Sequence, residues 1–160
     1  DNYNPRTGLV SLSQGTYGST SVAALAVAAH EIGHVMQHQE GYIPIKIRNA
    51  ILPAASIGST AAPYIVILGA IMGSYNLAMI GVYLFLAMLI FQIVTLPVEL
   101  NASGRGLEML ESGGYISYDQ RGDAKAVLKA AAMTYVVAAI STLVSFLRLL
   151  MIANNSRRRN

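Results

Sequence analysis

The sequence predicts a mainly α, integral membrane protein with a short N-terminal edge strand and about three transmembrane helices. Composition, charge placement and segment length carry that reading. The chain has 160 residues, enough for one domain, with 54% apolar and only 12% charged residues. A soluble domain usually holds about 25% charged residues, so charge is depleted by about half. No Asp, Glu, Lys or Arg occurs between Arg48 and Glu99. A soluble domain could hardly bury so long an uncharged stretch. Two bilayer crossings could, because each needs about 20 apolar residues to span roughly 30 Å of hydrocarbon.

Residues 1–18 read as strand and loop. Pro5, Gly8, Gly15 and Gly18 punctuate them, and Leu9-Val10-Ser11-Leu12-Ser13 alternates apolar and polar as a short strand does. Ser19-Thr20-Ser21 offers hydroxyls that can cap free N–H groups at a helix start. A helix is therefore predicted within 19–41, from about Ser21 to Glu40, closed by Gly41 at C′. The first candidate span is 51–73, where Pro53, Gly58 and Pro63 allow a kinked or partly re-entrant path. Gly73-Ser74-Tyr75-Asn76 reads as a turn. The strongest span is 77–96, followed by Pro97. Residues 97–125 form a polar loop or helix bearing Glu99, with breaks expected around Gly104, Gly106 and Gly113-Gly114. The third span covers 130–152. Lys129 and Arg148 bracket its uncharged core, Ala130 to Leu147, and can snorkel toward the interfaces. Arg157-Arg158-Arg159 reads as a solvated tail, and no internal repeat is present. These segments together read as one membrane domain over 1–160. The first residue is Asp rather than Met, which reads as an N-terminally truncated chain, any signal or first membrane helix lying outside it.

Absence of cysteine excludes disulfides, thiolate metal sites and cysteine nucleophiles. The net charge of +3 fits membrane topology, and no basic patch interleaved with aromatics points to nucleic acid.

The residues that carry chemistry are His30-Glu31-Ile32-Gly33-His34, an HExxH motif. Residues four apart share a helix face, with Cβ atoms about 5–6 Å apart. His30 and His34 can thus both direct an imidazole at one Zn²⁺. Glu31 lies about 100° around the helix, beside the ion rather than on it. From there it can act as general base on water whose pKa the metal lowers, and afterwards pass the proton to a leaving amine. The motif follows a run of Ala and Val, where ionisable groups are costly unless paired or metal-bound.

A catalytic zinc takes three protein ligands and keeps one open position. His38 lies on the same helix, but i, i+4 and i+8 span about 12 Å, too far to converge on one ion. It is instead a histidine that supports the metal ligands from behind, contacts substrate, or is an ordinary surface residue. The HExxHxxGxxH layout fails because Gln37 and Glu40 stand where Gly and His are needed. Glu99 is the better third ligand. It is the first charge after the uncharged stretch, and a hairpin of two spans would return it to the side of the His30 helix. Glu108, Glu111, Asp119 and Asp123 are fallbacks.

Ala28-Ala29-His30-Glu31-Ile32-Gly33-His34, Gln37-His38 and Gly41-Tyr42 resemble the YugP-like neutral zinc metallopeptidase family of bacterial membrane proteins. So do Tyr3-Asn4-Pro5-Arg6-Thr7, Leu96-Pro97-Val98-Glu99-Leu100-Asn101-Ala102-Ser103 and Ala131-Ala132-Met133-Thr134-Tyr135-Val136. The resemblance covers nearly the whole chain in one order. It implies a zincin-type HExxH helix, with an extra N-terminal membrane helix and soluble segment in family members. The layout is similar to HtpX-type membrane peptidases and CAAX prenyl peptidases, which place a third ligand in Glu-x-x-Ala-Asp. Glu99-Leu100-Asn101-Ala102-Ser103 matches at Glu and Ala and departs at Ser103, which leaves open the role that an Asp would have there. In zincins an edge strand before the active helix binds peptide by strand addition. Leu9, Val10 and Ser11 would serve so here. His38 and Asn101 are further candidates for substrate contact, as are Tyr17 and Tyr42.

Three readings follow. The first is a membrane-embedded zinc endopeptidase acting on membrane or membrane-proximal proteins. The second is a site-2-type intramembrane protease, which would want an Asp ligand in a later span; none is present. The third is an inactive metal-binding scaffold, against which Glu31 argues. The expected location is the bacterial plasma membrane, multi-pass, in contact with the lipid bilayer. Arg6, Lys46, Arg48, Arg105, Arg121 and Lys125 favour a cytoplasmic active site by the positive-inside rule, with Arg157 to Arg159 opposed.

Overall fold

The structure is a computed structural model describing residues 1–158, with side chains through Asn155. The side chains of the Arg157–Arg159 tail lie outside the described residues. Among these residues the elements are β1 (Asn2–Asn4), β2 (Leu9–Ser11), α1 (Gln14–Tyr17), α2 (Val22–Gln39), α3 (Ile43–Ile71), α4 (Tyr75–Ser112) and α5 (Gln120–Arg158). They form two compact units. The first holds Asp1–Lys46 and Leu96–Thr134, the second Ile47–Thr95 and Tyr135–Asn160.

In the first unit the predicted strand has a partner that its own alternation did not announce. β1 pairs antiparallel with β2 in the register Asn2↔Ser11, Tyr3↔Val10, Asn4↔Leu9. The Gly8 N–H closes the turn on the Asn4 carbonyl at 2.9 Å. The strand ends at Ser11 rather than Ser13, because Ser13 caps α1 by accepting from the Thr16 N–H. α2 begins as its sequence predicts: the Ser21 hydroxyl accepts from Ala24 N–H at 3.2 Å. Its end is a Schellman motif, with Gly41 at φ +67° and bonds from Gly41 N–H to His38 O and from Tyr42 N–H to Gln37 O. The core of this unit joins Ala26 and Ala29 of α2 to Leu110 of α4, Ile116, and Ala124 and Leu128 of α5.

The helices are longer than the hydropathy pattern predicts. α3 starts at Ile43 and stays helical through Pro53 and Pro63. α4 does not stop at Pro97, nor break at Gly104 or Gly106; it ends at Ser112, before Gly114 at φ +68°. Most of 97–125, expected as a polar loop or helix, is therefore helix. α5 starts at Gln120, whose side chain accepts from the Ser117 N–H at 3.0 Å, one half of a capping box. The physical reason is tertiary. Val98 and Ala102 are fully buried just past the proline, and such packing outweighs the missing N–H of one residue.

In the second unit α3 and α4 approach through small residues. A Cβ at Gly58 would strike the Leu84 carbonyl, and one at Gly81 would strike Val66 and Ala62. Ala62, Val66, Ala78, Val82, Phe85, Leu149 and Ala153 form its core. α3, α4 and α5 supply three helices long and apolar enough to cross a membrane, and the most apolar window of α5 is only 11% buried within the chain.

Two alanine substitutions should move stability in opposite directions. Gly41→Ala forces a Cβ into left-handed backbone and should cost about 1 kcal/mol. Gly104 lies inside α4 with nothing within 4 Å of an added Cβ, so Gly104→Ala should gain about 0.8–1 kcal/mol. Denaturant midpoints of the detergent-solubilised protein check both signs.

Candidate metal centre

The histidine helix and the glutamate helix meet backbone to backbone. Gly33 lies between the two motif histidines, and an added Cβ there would run into the Ala102 carbonyl of α4. One at Gly106 would run into the Ala29 carbonyl of α2. This contact carries short side chains across the gap. His30 Nε2 lies 3.1 Å and His34 Nε2 3.4 Å from the same oxygen, Glu99 Oε2. The two imidazoles are nearly perpendicular, 4.7 Å between centroids at 83°. Glu99 is only 3% exposed and His34 9%.

Each histidine is held from behind. His30 Nδ1 lies 2.9 Å from Ser103 Oγ, and His34 Nδ1 lies 3.0 Å from Gln37 Oε1. Gln37 is fully buried. Its amide nitrogen donates to the Val98 carbonyl at 2.8 Å and to Asn101 Oδ1 at 3.0 Å. A backbone carbonyl can only accept, so the Gln37 orientation is fixed with its oxygen toward His34. His34 Nδ1 must then carry the hydrogen, and Nε2 presents a lone pair to the Glu99 carboxylate. Two acceptors at that distance repel unless a proton or cation lies between them. Burial by itself would lower the His34 pKa, yet hydrogen bonding and charge from Glu99, aided by Gln37, raise it above 6.5. The site thus favours positive charge at this nitrogen.

The donor set fits a metal. One ligand atom each from His30, His34 and Glu99 lies within 4.8 Å of the others. Metal bonds of about 2.0–2.1 Å in tetrahedral geometry would set ligand atoms about 3.3–3.4 Å apart, close to the two separations measured here. Glu31 is buried at 8% exposure and adds its charge at His34, but it stands outside this triangle.

A family described as "Putative neutral zinc metallopeptidase" matches residues 1–154 of the chain. The chain belongs to this family. It is 42% identical over 160 residues to the Bacillus subtilis (strain 168) protein named "Putative membrane protease YugP", covering 100% of this chain and 71% of that protein. No solved structure matches.

The other residues singled out in the sequence are placed elsewhere. His38 is exposed and edges onto the Tyr3 ring at 6.1 Å. Asn101 joins the Gln37 network and also accepts from Arg105 Nε at 2.7 Å. Arg105 in turn pairs with Glu40 at 2.6 Å and lies over the Tyr42 ring. Tyr17 is 83% exposed and Leu9 60%. Leu9, Val10 and Ser11 all lie in β2, whereas β1 is the strand that packs against α2. Glu108, Asp119 and Asp123 are outside the cluster, and Glu111 pairs with Arg121 at 2.8 Å. Sequence reasoning missed Gln37, although its i+3 spacing from His34 was a usable signal. It also left Ser103 without a role.

Gly33→Ala should abolish tight metal binding by wedging α2 from α4, while Gly15→Ala, with open space around its Cβ, should leave it intact. Zinc per chain after gel filtration in detergent measures both. Gln37→Leu leaves Asn101 its bond to Arg105 but frees the His34 ring. Metal affinity should fall about 10–100-fold, as read by competition with a chelator.

Proposed function

We propose that this chain is a membrane-embedded, zinc-dependent endopeptidase that cuts membrane or membrane-proximal proteins. The observation that carries this reading is the convergence of two imidazole nitrogens on one buried carboxylate oxygen, with Glu31 next to the first histidine. His30, His34 and Glu99 would hold Zn²⁺ as a gluzincin-like ligand set. The ion supplies Lewis acidity, polarising a peptide carbonyl and lowering the pKa of water. Glu31 takes the proton from the attacking water on a carboxylate oxygen and returns it to the departing amine. Gln37 and Ser103 hold the imidazoles in the ligating orientation. β2 pairs with β1 alone among the described residues, so Leu9 to Ser11 can bind an extended substrate by strand addition. The intact Glu31 separates this reading from an inactive scaffold.

Glu31→Gln should keep about one zinc per chain and lose roughly 10²–10⁴-fold in cleavage of a disordered protein such as casein. Glu99→Ala should lose both. Zinc retained by Glu99→Ala would remove Glu99 from the ligand set, and a wild type that binds no zinc would sink the enzyme reading.

The same reading places the metal centre on the cytoplasmic side of the plasma membrane. Its support is that α3 is one continuous helix, that the turn at 73–74 carries no Lys or Arg, and that Lys46, Arg105, Arg121 and Lys125 belong to the metal-bearing unit. The chain has no cysteine, so single introduced thiols report cleanly. A membrane-impermeant maleimide should label Asn76→Cys in intact cells and Asp119→Cys only after lysis.

A further inference from the structure

The hydrogen bonds behind His34 do not end at Gln37. They run on to the surface of the same unit through Asn101 and Arg105 of α4. Gln37 is fully buried, and its amide nitrogen has two hydrogens to place. The Val98 carbonyl takes one at 2.8 Å and Asn101 Oδ1 takes the other at 3.0 Å. Asn101 is the weak point of this chain. Its amide can turn over about χ2, exchanging oxygen for nitrogen at little steric cost. Turned over, it would set N–H against N–H and leave the buried Gln37 with an unmet donor, which is costly. Held then by one bond in place of two, the Gln37 oxygen would be free to swing away from His34. Arg105 removes that choice. A guanidinium can only donate, and Arg105 Nε donates to Asn101 Oδ1 at 2.7 Å. The Asn101 oxygen is thereby kept where Gln37 needs an acceptor. Arg105 is itself held on two further sides. Its Nη1 meets Glu40 Oε2 at 2.6 Å, and its Cζ lies 5.6 Å from the centre of the Tyr42 ring. Glu40 is the C-cap of α2, and Tyr42 follows the left-handed Gly41. The turn that closes the histidine helix therefore also seats the guanidinium.

We propose that Arg105 is a positioning residue for His34: acting across three hydrogen bonds, through Asn101 and Gln37, it keeps the imidazole turned for ligation. The proposal rests on the reading of His30, His34 and Glu99 as metal ligands and needs no peptidase activity. The competing role for Arg105 is to staple α2 to α4 through Glu40. That pair is a poor staple, because the Glu40 side chain is 60% exposed and ion pairs in contact with water contribute little. The bond to Asn101 is the one that faces the metal site.

Zinc affinity, measured by competition with a chelator on the full chain in detergent, tests this without reference to cleavage. Arg105→Met, and the milder Arg105→Gln whose own amide can turn either way, should lower the affinity about tenfold, the lower end of the range for partners behind metal ligands. Asn101→Asp supplies an acceptor in either orientation, so it makes the guanidinium dispensable. Added to either Arg105 variant, it should restore most of the affinity. Glu40→Gln removes the ion pair but keeps an oxygen for Arg105, and should cost at most a small part of the loss. Wild-type affinity in both Arg105 variants overturns the proposal. So does a loss that Asn101→Asp fails to restore, which would mark Arg105 as needed only for the packing of the two helices. A loss that Glu40→Gln reproduces in full also overturns it, and assigns the effect to the ion pair. A wild type with no zinc affinity removes the metal centre and the proposal with it, whereas zinc binding without cleavage counts against the peptidase reading alone.

Discussion

The unit that holds His30, His34 and Glu99 depends on a contact that only glycine permits. Gly33 and Gly106 remove the two Cβ atoms that would keep α2 and α4 apart, and each faces a backbone carbonyl of the other helix. At this separation one Glu99 oxygen meets both imidazoles, and Gln37 reaches the Val98 carbonyl across the same seam. Packing and chemistry therefore share a cause. The glycine inside the HExxH motif has a role of its own, separate from the histidines on either side.

Continuity of α4 is the second requirement. Glu99 can meet the histidines only if the helix keeps its phase past Pro97, since Glu99, Ala102, Ser103 and Gly106 must all face α2. The proline removes one N–H, but the residues after it are held by burial: Val98 and Ala102 are fully enclosed and Glu99 nearly so. A span of about 20 residues suffices to cross a bilayer, and α4 has 38. Its surplus length carries Glu99, one of the three clustered groups that could hold a metal.

This explains which parts of the molecule could be read from its sequence. Local signals were legible because their physics is local. The Ser21 cap, Gly41 at the helix end and the shared face of His30 and His34 follow from backbone geometry within a few residues. Glu99 stood out through charge alone, as an ionisable group at the edge of a long uncharged run. The continuation through Pro97 was not legible, because it rests on burial against α2, more than fifty residues away in the chain. β1 was missed for a similar reason: a three-residue strand has no period of its own and exists only through its register with β2. Gln37 and Ser103 look like ordinary polar helix residues until the fold sets them behind the imidazoles.

That pair also accounts for the Ser103 departure from the related Glu-x-x-Ala-Asp pattern. Metal-ligating histidines commonly donate their second nitrogen to a carboxylate, which raises ligand basicity and adds negative charge. Here the partners are a hydroxyl and an amide, both neutral. They fix ring orientation as a carboxylate would, without further charge. The negative groups at the cluster are then Glu99, which touches both imidazoles, and Glu31, whose charge acts on His34 from outside the cluster. A third carboxylate behind His30 would add its field in a buried site, where charges are poorly screened. It would offset part of the charge of any cation held there. Ser103 keeps the orienting contact without adding that charge.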